Sequence, residues 1–213
     1  MIHSLDAVDS THLWLIEKLK SKRLAPPVAV TADRQLAGIG SRGNAWTGME
    51  GNLFLSFGMH RSALVADLPQ QSMSIYFSWL LKATLAEAGS KVWLKWPNDF
   101  YVGEKKAGGT ITALVRGDIV VCSIGLNLQK APEGFATIDI NIDKNALLAS
   151  YFLKLKQDIL WKDIFREYKV EFLQSTRYRY YDKTTQKKVL LKDAVLQDDG
   201  SILIENRRVY SLR

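Results

Sequence analysis

The stretch from residue 92 to residue 128 constrains this chain more than any other. Short apolar runs at 92–94, 100–102, 110–115 and 119–128 alternate with turn signals: Trp96-Pro97-Asn98-Asp99, a Gly/Lys turn over 103–109, and Arg116-Gly117-Asp118. Parallel neighbours need a crossover of a dozen residues or more, and these gaps are too short for one. Consecutive hairpins are what remains, and they build a largely antiparallel sheet. Residues 53–58 add a strand, with Leu53, Leu55 and Phe57 on one face, and residues 28–31 add another. Such a sheet needs a cover. Residues 72–88 supply it: Tyr76, Phe77, Leu80, Leu81, Thr84 and Leu85 follow the helical period, and Gly89 stands where a left-handed residue ends the helix. The expected class is α+β, a mixed, largely antiparallel sheet backed by helices.

The flanks fill out the scheme. Asp9-Ser10-Thr11 precedes Leu13, Ile16 and Leu19, a capped amphipathic helix ending near Pro26-Pro27. A long helix is expected over 145–173, with Leu147, Leu148, Tyr151, Phe152, Leu155 and Ile159 inward. Short strands follow at 188–191, 194–197, 202–205 and 208–212, with Asp199-Gly200 as a hairpin turn. They read as a small barrel-like appendage. The division expected is 1–175 and 176–213.

Composition narrows the function. Of 213 residues, 47% are hydrophobic and 24% charged, which excludes a disordered chain. A single cysteine, Cys122, excludes a disulfide framework and a Cys-rich zinc site; in an apolar strand it reads as an inert buried thiol. His3, His12 and His60 lack metal-ligand spacing, so no tightly bound metal is expected. The first residues lack a signal peptide's pattern, and no apolar run approaches the roughly 20 residues that span a bilayer. Cytoplasm, and no membrane partner, is the expectation. The net charge of +7 is uneven: fifteen basic and thirteen acidic residues lie in 1–150, fourteen and nine in 151–213. An acidic partner or substrate fits that excess.

Three clusters carry candidate chemistry. Gly38-Ile39-Gly40-Ser41-Arg42-Gly43-Asn44 is a small-residue loop whose backbone N–H groups are open to a phosphate or carboxylate. Its Gly-x-Gly-x-x-Gly opens no helix, so the dinucleotide-binding reading fails its context. Lys95-Trp96-Pro97-Asn98-Asp99 places a cation, an amide and a carboxylate in one corner, groups that serve phosphate, base or ribose, and magnesium. Lys106, before Ala107-Gly108-Gly109, can point into a pocket floored by backbone, a compact charge for a phosphoryl or carboxylate oxygen.

Together with Ser10-Thr11, Trp46, Gly51-Asn52-Leu53 and Gly125-Leu126-Asn127-Leu128, these clusters occur in the order found in biotin protein ligases, which the chain resembles over nearly its whole length. The resemblance implies a fold related to class II synthetase and lipoate ligase domains, with a small SH3-like carboxyl-terminal domain. It implies ATP-dependent activation of biotin as biotinyl-5′-AMP, then transfer to a lysine of a biotin carboxyl carrier protein. By the same match Lys106 is the catalytic cation. Ser10, Thr11, His12, Gln35, Gly38, Ile39, Gly40, Ser41, Lys106 and Gly109 would bind biotin; Arg42, Lys95, Asn98, Asp99 and Asn127 would serve the nucleotide. Magnesium would arrive with ATP, near Asp99. Trp46 and Trp96 are assigned to packing the loop. The protein is expected to be a monomer or homodimer.

The loop departs from the family's Gly-Arg-Gly-Arg-Arg-Gly-Arg: three of four arginines are absent, including the one at Ser41. Either the adenylate is held less tightly or Lys95 or Arg42 substitutes. Some members carry an amino-terminal helix-turn-helix domain; with Asp9-Ser10-Thr11 so early, the expectation is the short class, with no DNA partner. A lipoate or octanoate ligase or transferase of the same fold is the nearest alternative. A nucleic-acid module is another, on Tyr178, Tyr180 and Tyr181 among Arg177, Arg179 and Lys183; ordinary packing at the helix-to-barrel junction accounts for the same residues.

Overall fold

The computed structural model describes residues 2–40, 45–182 and 186–210. Its centre is a seven-stranded sheet. The strands are β1 (Ile2–Val8), β2 (Val28–Gln35), β5 (Leu53–His60), β9 (Ile119–Leu126), β8 (Lys105–Val115), β7 (Asp99–Val102) and β6 (Trp93–Lys95), neighbours in that order. Only β1 and β2 pair in parallel; every other pairing is antiparallel. Two short ribbon strands, β3 (Gly38–Ile39) and β4 (Ala45–Trp46), stand apart from the sheet.

The hairpin reading of 92–128 holds, with one correction. The Gly/Lys turn is shorter than expected: Gly103, at φ +56°, turns the chain, and β8 already begins at Lys105. Lys106, Gly108 and Gly109 are therefore strand residues. Arg116 and Gly117, both at positive φ, make the next turn. β1 was not expected. It is an edge strand with no fully buried residue, so it carries no apolar alternation to read.

Helices cover the sheet unequally. On one face lie α2 (Met73–Glu87), α3 (Lys144–Leu155) and α4 (Trp161–Ser175), sharing one core with Leu53, Leu55, Phe57, Val120, Cys122 and Ile124. α2 ends at Gly89, φ +94°. The single helix expected over 145–173 is two helices. Asp158 sits at φ 49° between them, and α4 starts where Asp67 accepts from the N–H groups of Trp161 and Lys162, each at 3.0 Å. The cap comes from a loop over ninety residues upstream, so local spacing cannot show it. On the other face α1 (Thr11–Lys20) covers only one end, packing Leu15 and Leu19 on Val28, Val30, Val115, Ile119 and Val121. Its first turn meets Ser56 and Ser123 through Thr11 and His12, and the rest of that face, through Gly125 and Gly109, lies beyond its reach.

α4 also braces the 94–97 segment. Glu171 accepts from the Leu94 N–H at 3.0 Å, Ser175 from the Trp96 N–H at 2.9 Å, and Tyr168 donates to the Pro97 carbonyl at 3.1 Å. Burial raises the Glu171 carboxyl above its ordinary range, against the pull of Lys82 at 3.3 Å.

Beyond α4 comes a small strand-rich region. β10 (Arg179–Asp182) pairs with β11 (Lys187–Leu190), and β12 (Val195–Leu196), β13 (Ile202–Ile204) and β14 (Arg207–Val209) form a three-stranded sheet. The last expected strand reached into 211–212, outside the described residues. The 198–200 turn is gripped by three side chains: Trp161 Nε1 donates to the Asp198 carbonyl at 3.0 Å, Ser72 to that of Asp199, and Trp96 Nε1 to that of Gly200 at 2.9 Å. Trp96 therefore packs toward this region, against Tyr180, rather than on the glycine loop. Trp96→Phe should remove that donor, leave the Gly200 carbonyl unpaired, and destabilise the protein by ~1–3 kcal/mol. Urea unfolding gives the total, and hydrogen exchange should rise first over 198–204.

Candidate active site

The uncovered part of the sheet is a cleft walled by Ser10, Thr11, His12, Gln35 and Trp46. Its floor is main chain, because Gly109 of β8 pairs with Gly125 of β9 and neither has a side chain on that face. A Cβ on Gly125 would lie 2.7 Å from the Trp46 indole, so that glycine lets Trp46 rest on the strand. A Cβ on Gly109 would stand 3.2 Å from Asp99 Oδ1 and 3.6 Å from Lys106 Nζ, so these groups close over bare backbone.

At the end nearest α1 the floor becomes polar. Thr11 donates to Gln35 Oε1 from its N–H at 2.9 Å and from its hydroxyl at 3.1 Å. Ser56 Oγ lies 2.9 Å from Thr11 Oγ1 and 2.8 Å from Ser123 Oγ, which lies 2.8 Å from His12 Nδ1. Ser10 caps α1 through Leu13 N–H and lines the same wall.

At the other end stands an ion cluster. Asp99 Oδ1 is 2.6 Å from Lys106 Nζ, and Asp99 Oδ2 is 3.8 Å from Lys95 Nζ. The Lys95 ammonium also lies over the rings of Tyr101 and Tyr178, 5.4 and 5.7 Å from their centroids. Burial, then the Asp99 charge, push the Tyr101 phenol well above its usual range, so it stays neutral beneath that cation. A second cavity of about 250 Å³ opens beside the first, lined by Asn127, Pro132 and Phe135 and sharing Gly40, Trp46 and Lys106 with it. Lys106 thus faces both spaces. Asp99 is the one carboxylate among the described residues of both linings. That donor set suits a magnesium ion carried in on nucleotide phosphates better than a resident metal, which needs more oxygen ligands from the protein.

The structure brings most of the expected residues to this place. Ser10, Thr11, His12, Gln35, Ile39, Gly40, Asp99, Lys106 and Gly109 line the first cavity, and Asn127 lines the second. Ser41 and Arg42 lie outside the described residues. Gly38 is buried in the β3–β4 ribbon, where a Cβ would meet the Trp46 carbonyl at 2.5 Å. Asn98 is buried, and its amide donates to the Thr110 carbonyl while its own carbonyl accepts from Thr110 N–H at 3.1 Å. Lys95 touches the site through Asp99. Ser56 and Ser123 were not singled out from the sequence, although each is a hydroxyl interrupting an apolar strand, and they face each other across β5 and β9. Nor was the clamp role of Asn52, whose Oδ1 accepts from the N–H groups of Leu128, Gln129 and Lys130 and so shapes the loop under the second cavity. Two of the three rings proposed for nucleic acid are engaged internally, Tyr178 on Trp93 and Tyr101 and Tyr180 on Trp96, while Tyr181 is exposed. Among the described residues no helix is long and apolar enough to cross a membrane.

Comparison with known proteins agrees with this geometry. The sequence pattern of the Biotin/lipoate A/B protein ligase family matches residues 4–128. The crystal structure of biotin acetyl coenzyme A carboxylase synthetase from Helicobacter pylori, with bound biotinylated ATP, superposes with a TM-score of 0.92 at 35% identity, covering 98% of each chain. The biotin protein ligase of Aquifex aeolicus, in complex with biotin and ATP, shares the fold at a TM-score of 0.76 and 24% identity, covering 100% of this chain and 95% of that one. The bifunctional ligase/repressor BirA of Salmonella typhimurium is 29% identical over 168 residues, 71% of this chain and 51% of that protein. The chain thus spans about half the length of the curated BirA relatives it matches first. A family pattern covering more than half of the chain, and a near-complete structural match above 30% identity, place it: this chain belongs to the biotin/lipoate A/B protein ligase family.

Proposed function

We propose that this protein activates biotin with ATP and transfers it to a lysine of a biotin carboxyl carrier protein. One observation carries the reading: the Lys106 ammonium stands where two adjoining cavities meet, over a floor of bare main chain. The reaction joins two anions. A biotin carboxylate oxygen attacks the α-phosphorus of ATP, the bond to the bridging oxygen breaks, and pyrophosphate leaves with its electron pair. A fixed cation between the reactants offsets their repulsion and the charge that develops on the phosphoryl oxygens. Lys106 is that cation. The biotin ring occupies the first cavity, held by Ser10, Thr11, Gln35 and the 38–41 loop, with His12 in the wall behind them. The adenylate occupies the second, with Asn127 on its wall. Arg42, Lys95, Asn98 and Asp99 serve the nucleotide side, Asp99 near the magnesium ion of ATP. In the second step a neutral lysine amine of the acceptor attacks the biotinyl carbonyl carbon, and AMP departs.

The relatives support biotin over lipoate: the Helicobacter pylori structure holds biotinylated ATP, and a Mycobacterium tuberculosis biotin--[acetyl-CoA-carboxylase] ligase is 29% identical over 72% of this chain. The proposed division is a ligase unit over 1–175 and a small carboxyl-terminal unit over 176–213.

Lys106→Ala should fold normally and lose about 10²–10³ in the rate of biotin-dependent pyrophosphate release. A rate near that of the unaltered chain removes Lys106 from the role. Biotin at about 100 times its Kd should raise the melting temperature by roughly 5 °C or more. Lipoate should leave it in place; the reverse ranking makes the protein a lipoate ligase. Finally, the basic excess beyond residue 150 predicts that the acceptor's KM rises with salt while adenylate formation hardly changes. A salt-independent KM would exclude electrostatic docking.

A further inference from the structure

The polar end of the cleft contains a proton-counting constraint. Four contacts run in series, from Gln35 Oε1 to Thr11 Oγ1, Ser56 Oγ, Ser123 Oγ and His12 Nδ1, all between 2.8 and 3.1 Å. Each hydroxyl has one proton to give. The orientation of Gln35 is fixed, because its Oε1 also accepts from the backbone N–H of Thr11, which can only donate. An amide oxygen only accepts, so the first contact uses the Thr11 proton. The second must then use that of Ser56, and the third that of Ser123. Nothing remains for the fourth except a proton on His12 Nδ1. One assignment alone makes all four contacts hydrogen bonds, and it runs in one direction.

We propose that His12 is a positioning residue whose Nδ1–H sets the direction of this chain and thereby the polarity of the cleft floor. With their protons committed, the Thr11 and Ser123 oxygens offer lone pairs to the ligand. Gln35, its oxygen occupied, offers Nε2–H. The floor thus presents acceptors for ring N–H groups beside a donor for a carbonyl. A cyclic urea is the complement of that array. This last step rests on the biotin reading above; the proton count does not. A ligand carrying a lone pair where the urea carries N–H would leave buried oxygens facing each other, which is how a site of this kind rejects near-isosteres.

Two measurements on the full chain test it. With only three histidines in the sequence, side-chain 15N NMR can follow His12 at about pH 9, well above the ordinary imidazole pKa of roughly 6.5. A protonated Nδ1 and an unprotonated Nε2 are expected; a ring protonated at Nε2 overturns the proposal. In kinetics, His12→Phe should raise the KM for biotin about tenfold and that for ATP by less than about twofold. In a Ser123→Ala background the same change should add less than about twofold, since the histidine acts through that hydroxyl. Additive losses, or an unchanged biotin KM, overturn the proposal. If the unaltered chain turns over no biotin, the ligase reading fails, and the tautomer alone then decides whether His12 directs the chain.

Discussion

Gly109 and Gly125 face each other across two hydrogen-bonded strands, and that bare pair is the constraint from which the site follows. Elsewhere on this face of the sheet Val28, Val30, Val115, Ile119 and Val121 pack under α1. At the glycine pair the sheet keeps its backbone hydrogen bonds and loses its side-chain layer, so space opens without an unpaired N–H or C=O. Trp46 and Lys106 then fold down from opposite sides over main chain. A side chain at either glycine would meet the Trp46 indole or the Asp99 carboxylate first. Close approach, rather than a left-handed backbone, is what requires glycine here.

A cleft in a sheet is only as fixed as the strands that border it, and here the edge strand β6 and its neighbour β7 are short, three and four residues. Their rigidity comes from behind. Tyr168, Glu171 and Ser175 lie on one face of α4 and supply partners for the 94–97 backbone, replacing the strand that the sheet lacks at this edge. Trp96 extends the brace into the carboxyl-terminal turn through Gly200. The corner that carries Lys95 and Asp99 is therefore held by α4 and by the last strands together. Both lie far along the chain, and both belong to the same core as the sheet.

The sequence disclosed the elements that depend on local pattern and missed those that depend on remote partners. The hairpins of 92–128 and the helix at α2 were legible because turn residues and apolar period act within a few positions. The break between α3 and α4 was not, since Asp67 supplies the cap. β1 was not, since an edge strand buries too little to leave a trace. In the site, Lys106, Gly109, Thr11 and Gln35 stood out through motif and resemblance. Ser56 and Ser123 stood out through neither, although a hydroxyl in the middle of two apolar strands is a buried polar group that needs a partner. Each is a partner of the other, with Thr11 and His12 beyond them, and that becomes visible only when β5 and β9 are paired in register.

The two ends of the cleft solve opposite problems. At the polar end, neutral groups exhaust one another's protons and leave a fixed pattern of donors and acceptors. At the other, Asp99 stands between Lys95 and Lys106, two cations to one anion. The carboxylate spares a half-buried ammonium the cost of standing unpaired before substrate arrives. In the proposed reaction an arriving phosphate or carboxylate would compete with Asp99 for Lys106, so the lysine would exchange one oxyanion for another instead of losing its hydration. Lys95 stays with Asp99 and the two tyrosine rings, which keeps the released carboxylate paired during that exchange. In the proposed reaction the rigid end would orient the ligand's ring, while the exchangeable end would receive the charge that moves.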